Sequence, residues 1–196
     1  MKITQLDPYN SILYFDSCLL KNELPDFLHL ISTNQLHQPT LKIFGNSPKF
    51  FDTTFSTFSN TVPSKHYHQS LITTELTTFS NLLKSKFDSY QENNFNTHYN
   101  CNLVHYSPIH PRGGSRGKHQ DNPTVGLNLV LIYSFGQTRE FAIYKDNKIV
   151  KKLPLHHNSL VALIGPTFQK IYHHSLLPLA LNIVPFNRWS FNTRFI

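Results

Sequence analysis

Cysteine, long apolar runs and signal-like segments are scarce in this sequence, and each absence excludes a class of protein. The two cysteines, Cys18 and Cys101, are too few for a disulfide framework. They favour a reducing compartment and two buried free thiols. No stretch approaches the roughly 18 apolar residues of a membrane helix, and the N-terminus lacks the apolar core of a signal peptide. We therefore expect an intracellular protein, cytoplasmic or nuclear, with no membrane partner.

Internal repeats and Gly/Ser-rich linkers are also missing. Only 15% of the residues are charged and 39% are hydrophobic, which excludes a disordered chain. A length of 196 residues suits one globular domain with a sizeable core. We predict a single, monomeric domain over residues 1–196, with an N-terminal extension at 1–98 and a strand-rich core at 99–196.

Arginine is absent from the first half of the chain, and the charge is unevenly spread. Residues 1–98 sum to about −1, whereas residues 99–196 hold all five arginines and sum to about +8. A half that is so basic suits a polyanionic partner such as nucleic acid. A basic surface without such a partner is the alternative, and composition leaves both open. Because arginines are few, the position of each one is informative.

Hydrophobic periodicity separates a mixed first half from a second half rich in strands. A short strand is predicted at 11–15, and helices at 22–32 and 73–90, the latter with an apolar stripe that we interpret as core packing. Turn residues separate the later strands. This pattern is typical of an antiparallel sandwich or barrel, so the fold class is α+β, mainly β, with helices packed outside. The later strands are predicted at 101–106, 124–133, 139–145, 148–153, 159–165 and 168–174.

A further strand, "RWSFNTRF" at 188–195, alternates between polar and apolar residues. Side chains alternate along a strand, so Arg188, Ser190, Asn192 and Arg194 share one face. If the apolar face packs against the helices, the polar face points into the barrel, where two arginines are costly unless an anion meets them. The alternative is an exposed edge strand whose polar face is solvated.

One His-x-Asp pair occurs in the sequence, at His119 and Asp121. At a strand end the two side chains lie on one face and can converge on one ion. Two histidines and one carboxylate form the ligand set of non-haem Fe(II) oxygenases. About 0.4 such pairs are expected by chance, so the pair indicates little by itself. A third ligand has to come from a distant strand, and of His173 and His174 only one can point inward.

Residues 99–196 carry several segments whose order resembles that of a known family. They are Tyr106 on a strand, "HQD" (119–121), "YSFGQTREFAI" (133–143), "LPLHHNSLVALIGPTFQKIYHHSL" (153–176) and "RWSFNTR" (188–194). In this order they resemble the AlkB-like branch of the 2-oxoglutarate- and Fe(II)-dependent dioxygenases. The resemblance implies a double-stranded β-helix, or jelly-roll, barrel.

The resemblance also implies a ligand set. His119, Asp121 and His174 correspond to the family's Fe(II) ligands, and His174 is favoured over His173 because the family's distal histidine precedes Ser and an apolar residue. The family's 2-oxoglutarate contacts correspond to Arg188 and Tyr106 at the distal carboxylate. The contacts near the iron-chelating end correspond to Arg194, with Ser190 and Asn192 beside it.

The activity that the resemblance implies is oxidative demethylation of N-alkylated bases in DNA or RNA with Fe(II), 2-oxoglutarate and O2. The base is single-stranded or flipped from a duplex. Residues 43–51, "IFGNSPKFF", resemble the start of a nucleotide-recognition lid. Pro123 stands where some members carry a base-reading acid, so no base preference is implied. Val104 stands where most members carry an Asn that makes one hydrogen bond to the co-substrate. The alternatives are the same chemistry on a protein or small molecule, or a catalytically silent nucleic-acid-binding domain.

Overall fold

The computed structural model describes ten ranges of the chain: 1–23, 43–44, 47–48, 53–58, 68–70, 74–90, 99–107, 116–121, 128–179 and 188–195. Side chains are described for 1–23, 78–90, 117–121, 128–179, 188 and 190–195. Most of the helix predicted at 22–32 lies outside these ranges, apart from a 3-10 helix at Lys21–Glu23. Of the predicted lid, the structure describes the pairing of Ile43–Phe44 with Ser47–Pro48.

The strands in these ranges are β1 (Lys2–Asp7), β2 (Asn10–Phe15), β3 (Ile43–Phe44), β4 (Ser47–Pro48), β5 (Thr53–Phe58), β6 (His68–Ser70), β7 (Tyr99–Ser107), β8 (Arg116–His119), β9 (Leu129–Gly136), β10 (Arg139–Lys145), β11 (Lys148–Leu155), β12 (Ser159–Ile164), β13 (His173–Leu176) and β14 (Arg188–Phe195). The helices are α1 (Thr74–Asp88) and α2 (Phe168–Ile171). The larger sheet has the order β1-β2-β12-β9-β14-β7-β5-β6, and the smaller β11-β10-β13-β8. Apart from the parallel pair β5–β6, neighbours in both sheets are antiparallel, as the jelly-roll prediction requires.

The larger sheet is the middle of three layers, because both of its faces are buried. In β9, Leu129 and Leu131 pack toward α1, while Val130 and Ile132 pack toward the smaller sheet. Helix α1 covers the outer face with Phe79, Leu83 and Phe87, which are spaced four residues apart. The predicted helix and its role in the core are therefore confirmed.

Strand β14 lies between β9 and β7, so the edge-strand alternative is wrong. Phe191 faces α1, where its ring centroid lies 4.9 Å from that of Phe79 in an edge-on contact. The four polar residues of β14 are buried on the opposite face, which looks toward the smaller sheet. The predicted alternation is confirmed, and it carries two arginines into the interior.

The strand predicted at 168–174 is wrong over its first half, where the chain forms α2 instead. Phe168 and Tyr172 are four residues apart, and both pack in the core between the sheets with ring centroids 5.2 Å apart. That spacing suits a helical turn, but a short apolar run cannot distinguish a helix from a strand. Gly165 precedes the turn at φ 133°, and a Cβ there would clash with the Asn10 side chain.

The first turn of the chain braces α2. The Asp7 carboxylate accepts hydrogen bonds from the backbone of Asn10 (3.0 Å) and from the Tyr172 hydroxyl (2.7 Å). The Asn10 amide also donates to Thr167 Oγ1 at 2.8 Å. The N-terminal hairpin is therefore fastened to the segment that leads into β13.

Asn158 joins the N-terminal segment to the barrel from a left-handed backbone conformation, with φ 63°. Its backbone N–H donates to the Ser134 carbonyl at 2.8 Å. The side chain is 7% exposed, so its four hydrogen bonds are shielded from water. They join Leu19 N (3.1 Å), the Tyr133 hydroxyl (3.1 Å), Ser17 Oγ (3.0 Å) and the Leu19 carbonyl (2.8 Å).

Replacing Asn158 with alanine is expected to lower the free energy of unfolding by about 3 kcal/mol, because buried partners lose their hydrogen bonds. Calorimetry should show a Tm lower by roughly 6–12 °C. Asn147→Ala is the matched control, since Asn147 has the same φ of 63° but is exposed. It should cost about 1 kcal/mol, mostly from the backbone conformation, because the one side-chain hydrogen bond it loses, from Lys118, is exposed. Equal losses in the two variants would contradict the role of the buried network.

Two further sequence expectations concern the thiols and the membrane. Cys18 is buried and forms no disulfide, and burial raises the pKa of its thiol to about 12. The Cys101 side chain lies outside those described, so its expectation stays a prediction. No helix in the described ranges is long and apolar enough to span a bilayer.

Candidate metal and co-substrate site

The smaller sheet brings two of the predicted ligands side by side. His174 in β13 pairs directly with His119 in β8, and their ring centroids are 4.3 Å apart. His174 points into the barrel and is 4% exposed, whereas His173 is half-buried. The inward position is therefore occupied by the histidine that the resemblance favoured.

Asp121 completes the cluster two residues beyond the end of β8. The ligand atoms of His119, Asp121 and His174 all lie within 4.8 Å of one another. His119 Nε2 is 3.8 Å from Asp121 Oδ1, and its Nδ1 lies 2.8 Å from the Gly117 carbonyl. A hydrogen bond at that position places the proton on Nδ1 and leaves Nε2 available as a ligand atom.

Arg194 holds the Asp121 carboxylate in place and ionised. Its Nη2 lies 2.8 Å from Asp121 Oδ1, and both side chains are buried. Burial alone would raise the pKa of the Asp121 carboxyl, but the charge and hydrogen bond of Arg194 together with the charges of His174 and His119 outweigh it. The pKa is therefore well below its ordinary value, and the carboxylate is anionic at neutral pH.

Helix α2 fastens the backbone around Asp121. The Asp121 N–H donates to Gln169 Oε1 at 2.8 Å, and Gln120 Nε2 donates to the Lys170 carbonyl at 3.0 Å. Gln169 is only 3% exposed. Sequence reasoning missed this residue because it placed 168–174 in a strand. The sequence does contain one indication of it, because a polar amide that lies between two aromatic core residues, Phe168 and Tyr172, has to find a buried hydrogen-bond partner.

Replacing Gln169 with leucine is expected to weaken binding of a divalent metal by about tenfold, because such supporting hydrogen bonds orient ligands. Anaerobic calorimetric titration with Mn(II), an oxygen-stable stand-in for Fe(II), measures this directly. Gln120→Leu is the matched control: it removes a bond between the same two segments but leaves the Asp121 backbone alone. If both variants bind Mn(II) like the wild type, Gln169 does not position the ligand.

A pocket opens beside the cluster. The four polar residues of β14 line its wall, and Arg188 Nη2 donates to Ser134 Oγ at 3.0 Å. Asn192 Nδ2 lies 3.3 Å from Ser190 Oγ. The remaining wall is apolar. It consists of Ile132, Phe141, Leu155 and Leu176.

Tyr106 is placed by its backbone alone. Strand β7 pairs it with Trp189 on one side and Thr53 on the other, whereas Arg188 pairs with Ser107, so Tyr106 is one residue out of register with the arginines of β14. Its side chain is outside those described, and its contact with the co-substrate stays a prediction.

Comparison with known proteins identifies the family. A family model described as the 2OG-Fe(II) oxygenase superfamily matches residues 19–194. The chain belongs to this superfamily. No curated protein matches the sequence.

Solved structures of 2OG-Fe(II) oxygenases share the fold. A structure described as OsALKBH1 covers 97% of this chain and 100% of its own, with a TM-score of 0.64 and 16% identity. A prolyl hydroxylase from Trichoplax adhaerens, in complex with a hypoxia inducible factor peptide fragment, covers 94% and 83%, with a TM-score of 0.58 and 12% identity. At these identities the likeness establishes the jelly-roll fold.

Membership of the 2OG-Fe(II) oxygenases implies the use of Fe(II), 2-oxoglutarate and O2, and the residues present fit these groups. Two imidazoles and one ionised carboxylate are the donor set that Fe(II) takes in such sites. The pocket also has buried guanidinium groups, which suit a dicarboxylate. When bound, Fe(II) and 2-oxoglutarate together activate O2 for oxidation of a C–H bond.

Proposed function

We propose that this 2OG-Fe(II) oxygenase is AlkB-like and demethylates N-alkylated bases in DNA or RNA. The observation that carries the proposal is the buried face of β14, which puts Arg188, Ser190, Asn192 and Arg194 in one pocket with the His-Asp-His cluster. This is the arrangement that the AlkB-like pattern implies. The charge of about +8 on residues 99–196 supports a nucleic-acid substrate.

The metal ligands that we propose are His119, Asp121 and His174. Each ligand is oriented by a different neighbour, which limits the freedom of the set before metal binds. The Gly117 carbonyl fixes the ring of His119, Arg194 fixes the carboxylate of Asp121, and the strand pairing of β13 with β8 fixes His174.

For 2-oxoglutarate, we propose that the distal carboxylate is bound by Arg188 and, as the resemblance implies, by the hydroxyl of Tyr106, which would have to reach it from a position one residue out of register with Arg188. The guanidinium of Arg188 is 2% exposed and anchored by Ser134. A planar fork of donors in that setting can bind a carboxylate with two hydrogen bonds. Ser190, Asn192 and Arg194 border the chelating end of the co-substrate.

The overall reaction converts the methyl carbon to formaldehyde, while 2-oxoglutarate becomes succinate and CO2. One oxygen atom of O2 ends in succinate and the other in formaldehyde. The residues of the chain bind, orient and exclude water from these groups. We place the activity in one monomeric domain over residues 1–196, in the cytoplasm or nucleus, with residues 43–51 as part of a nucleotide-recognition lid.

The test is anaerobic purification, followed by addition of Fe(II), 2-oxoglutarate, O2 and an oligonucleotide that contains N1-methyladenine. Formaldehyde and succinate should form in equal amounts, and neither formaldehyde nor repair should appear with the unmethylated oligonucleotide. Several N-methylated bases should be tried in both DNA and RNA. If formaldehyde does not exceed the unmethylated control with any of them, base demethylation is wrong.

Protein hydroxylation is the second candidate, favoured by the fold shared with the Trichoplax prolyl hydroxylase. It predicts succinate release that is stimulated by a peptide and not by oligonucleotides. A silent nucleic-acid-binding domain predicts oligonucleotide binding without succinate release. The clustered ligand atoms and the two buried pocket arginines argue against it, since a protein that only binds needs neither.

A further inference from the structure

We propose that lysines at the metal end of the smaller sheet form a docking surface for the phosphate backbone of a nucleic-acid strand. This lysine rim consists of Lys118, Lys145, Lys148, Lys151 and Lys170. The proposal rests on the proposed function, because the bound strand is the one that carries the substrate base. The rim would hold that strand while the base enters the pocket.

Antiparallel pairing gathers the rim at one end of the sheet. Strand β8 ends at His119 and β13 begins at His173, beside the turn that joins β10 to β11. Lys145 and Lys148 flank that turn, Lys118 directly precedes His119, and Lys170 lies in the helix just before β13. The candidate ligands and the lysines therefore share one end of the sheet.

The strand register gives the distance from the rim to the metal cluster. Lys151 pairs with Ile143, Ile143 with His174, and His174 with His119, so the four residues form one row across the sheet. Strands lie about 4.8 Å apart, so the row spans about 14 Å between Cα atoms. The pair Lys145–Lys148 lies two residues further along β10, about 7 Å beyond the row.

Several rim ammonium groups are held in position. Lys118 Nζ donates to Asn147 Oδ1 of the turn and lies 5.8 Å from the ring centroid of Tyr144. Lys145 Nζ lies 5.8 Å from the ring centroid of Tyr172. At this range an aromatic ring attracts an ammonium group. Ordered side chains lose less conformational entropy when they bind phosphate than mobile ones do.

Positive charge is in excess at the rim, although two acids lie near it. Asp146 is in the turn, and Asp7 is near Tyr172, but its carboxylate already accepts several hydrogen bonds. Three lysines elsewhere in the described part of the chain lie within 3.1 Å of an acid. These pairs are Lys84 with Asp88, Lys86 with Glu23 and Lys152 with Glu140.

A nucleic acid fits this surface better than an anionic membrane does. The apolar groups that a bilayer could receive are Ile149 and Val150 on β11, each 46% exposed, and Ile171 beside Lys170, 38% exposed. Interfacial membrane binding usually relies on Trp, Phe or Leu on a continuous apolar face, which the lysines interrupt here. The row that links the rim to the cluster instead suits a strand whose base reaches the pocket.

The test is fluorescence anisotropy with a labelled 20-nucleotide single-stranded DNA, in the intact protein, over a series of salt concentrations. In K145Q/K148Q, affinity should fall about tenfold near 0.1 M salt, and the slope of log K against log salt should shrink by about 1.4, from two lost phosphate contacts. The matched control is K2Q/K21Q, which removes the same charge from exposed lysines at the far end of β1 and in the 3-10 helix. It should bind like the wild type.

Two further readouts separate this inference from the proposed function. Succinate release without nucleic acid should be unchanged in K145Q/K148Q, which shows that the pocket is intact. If the rim variant weakens binding but no methylated base is repaired, only the proposed activity fails. If bases are repaired and K145Q/K148Q binds with wild-type affinity and slope, the rim is wrong. Lysine-dependent binding to phosphatidylserine vesicles without oligonucleotide binding would also overturn it.

Discussion

Replacing His174 with alanine is expected to lower oxygenase turnover by at least about 100-fold. Loss of a residue that only supports a metal ligand already costs up to about 100-fold, and loss of the ligand itself should cost no less. The reason is that His174 supplies one of three ligand atoms within 4.8 Å of one another. His173→Ala is the matched control, because the neighbouring imidazole is absent from that cluster. It should keep turnover near that of the wild type.

Metal binding distinguishes this explanation from a folding defect. Anaerobic titration with Fe(II) should show weakened binding in His174→Ala and normal binding in His173→Ala, while the two variants have similar circular dichroism spectra. His174 is buried beside Phe141, with ring centroids 5.4 Å apart, so His174→Gln provides a second variant of more similar volume. Wild-type turnover in both His174 variants would remove this residue from the ligand set.

Replacing Arg188 with methionine is expected to raise the KM for 2-oxoglutarate by about 100-fold, because hydrogen bonds to a charged group contribute about 1.5–3 kcal/mol each. Methionine fills much of the buried volume but carries no charge. Steady-state succinate release against 2-oxoglutarate concentration measures the effect. We expect kcat at saturation to change much less than KM, because Arg188 lies on the pocket wall and is not part of the His-Asp-His cluster.

Arg139→Met is the matched control for this prediction. Arg139 is also 2% exposed and donates from Nη2 to the Leu177 carbonyl at 2.5 Å, but it does not line the pocket. Both variants lose a buried guanidinium, so both should be less stable. Only Arg188→Met should require more 2-oxoglutarate. A KM within threefold of the wild type would remove Arg188 from the co-substrate site.

Features that depend on local alternation could be predicted from the sequence. The two faces of β14 follow from the order of polar and apolar residues, and α1 follows from apolar residues at helical spacing. The pairing of His174 with His119 could not be derived in this way, since it depends on β13 lying between β10 and β8. Those neighbours are set by tertiary packing.

The short helix α2 shows where sequence reasoning fails. Its four residues carry too few apolar positions to establish a period, so strand and helix were equally compatible with the pattern. Gln169 was missed with it, because the hydrogen bond to the Asp121 backbone exists only in the helical conformation. The lysine rim could not be predicted either, since its five members come from four secondary-structure elements that only the tertiary fold brings together.

The first turn of the chain has a consequence for how the protein can be divided. Asp7 and Asn10 brace the segment around α2, and α2 in turn fastens Asp121, so a hairpin without any candidate ligand supports the candidate metal site from outside it. The same hairpin supplies β2, whose Ile12 and Leu13 enter the two cores on opposite faces of the larger sheet. A fragment that begins at residue 99 would therefore expose the flank of β12 and leave α2 without its anchor.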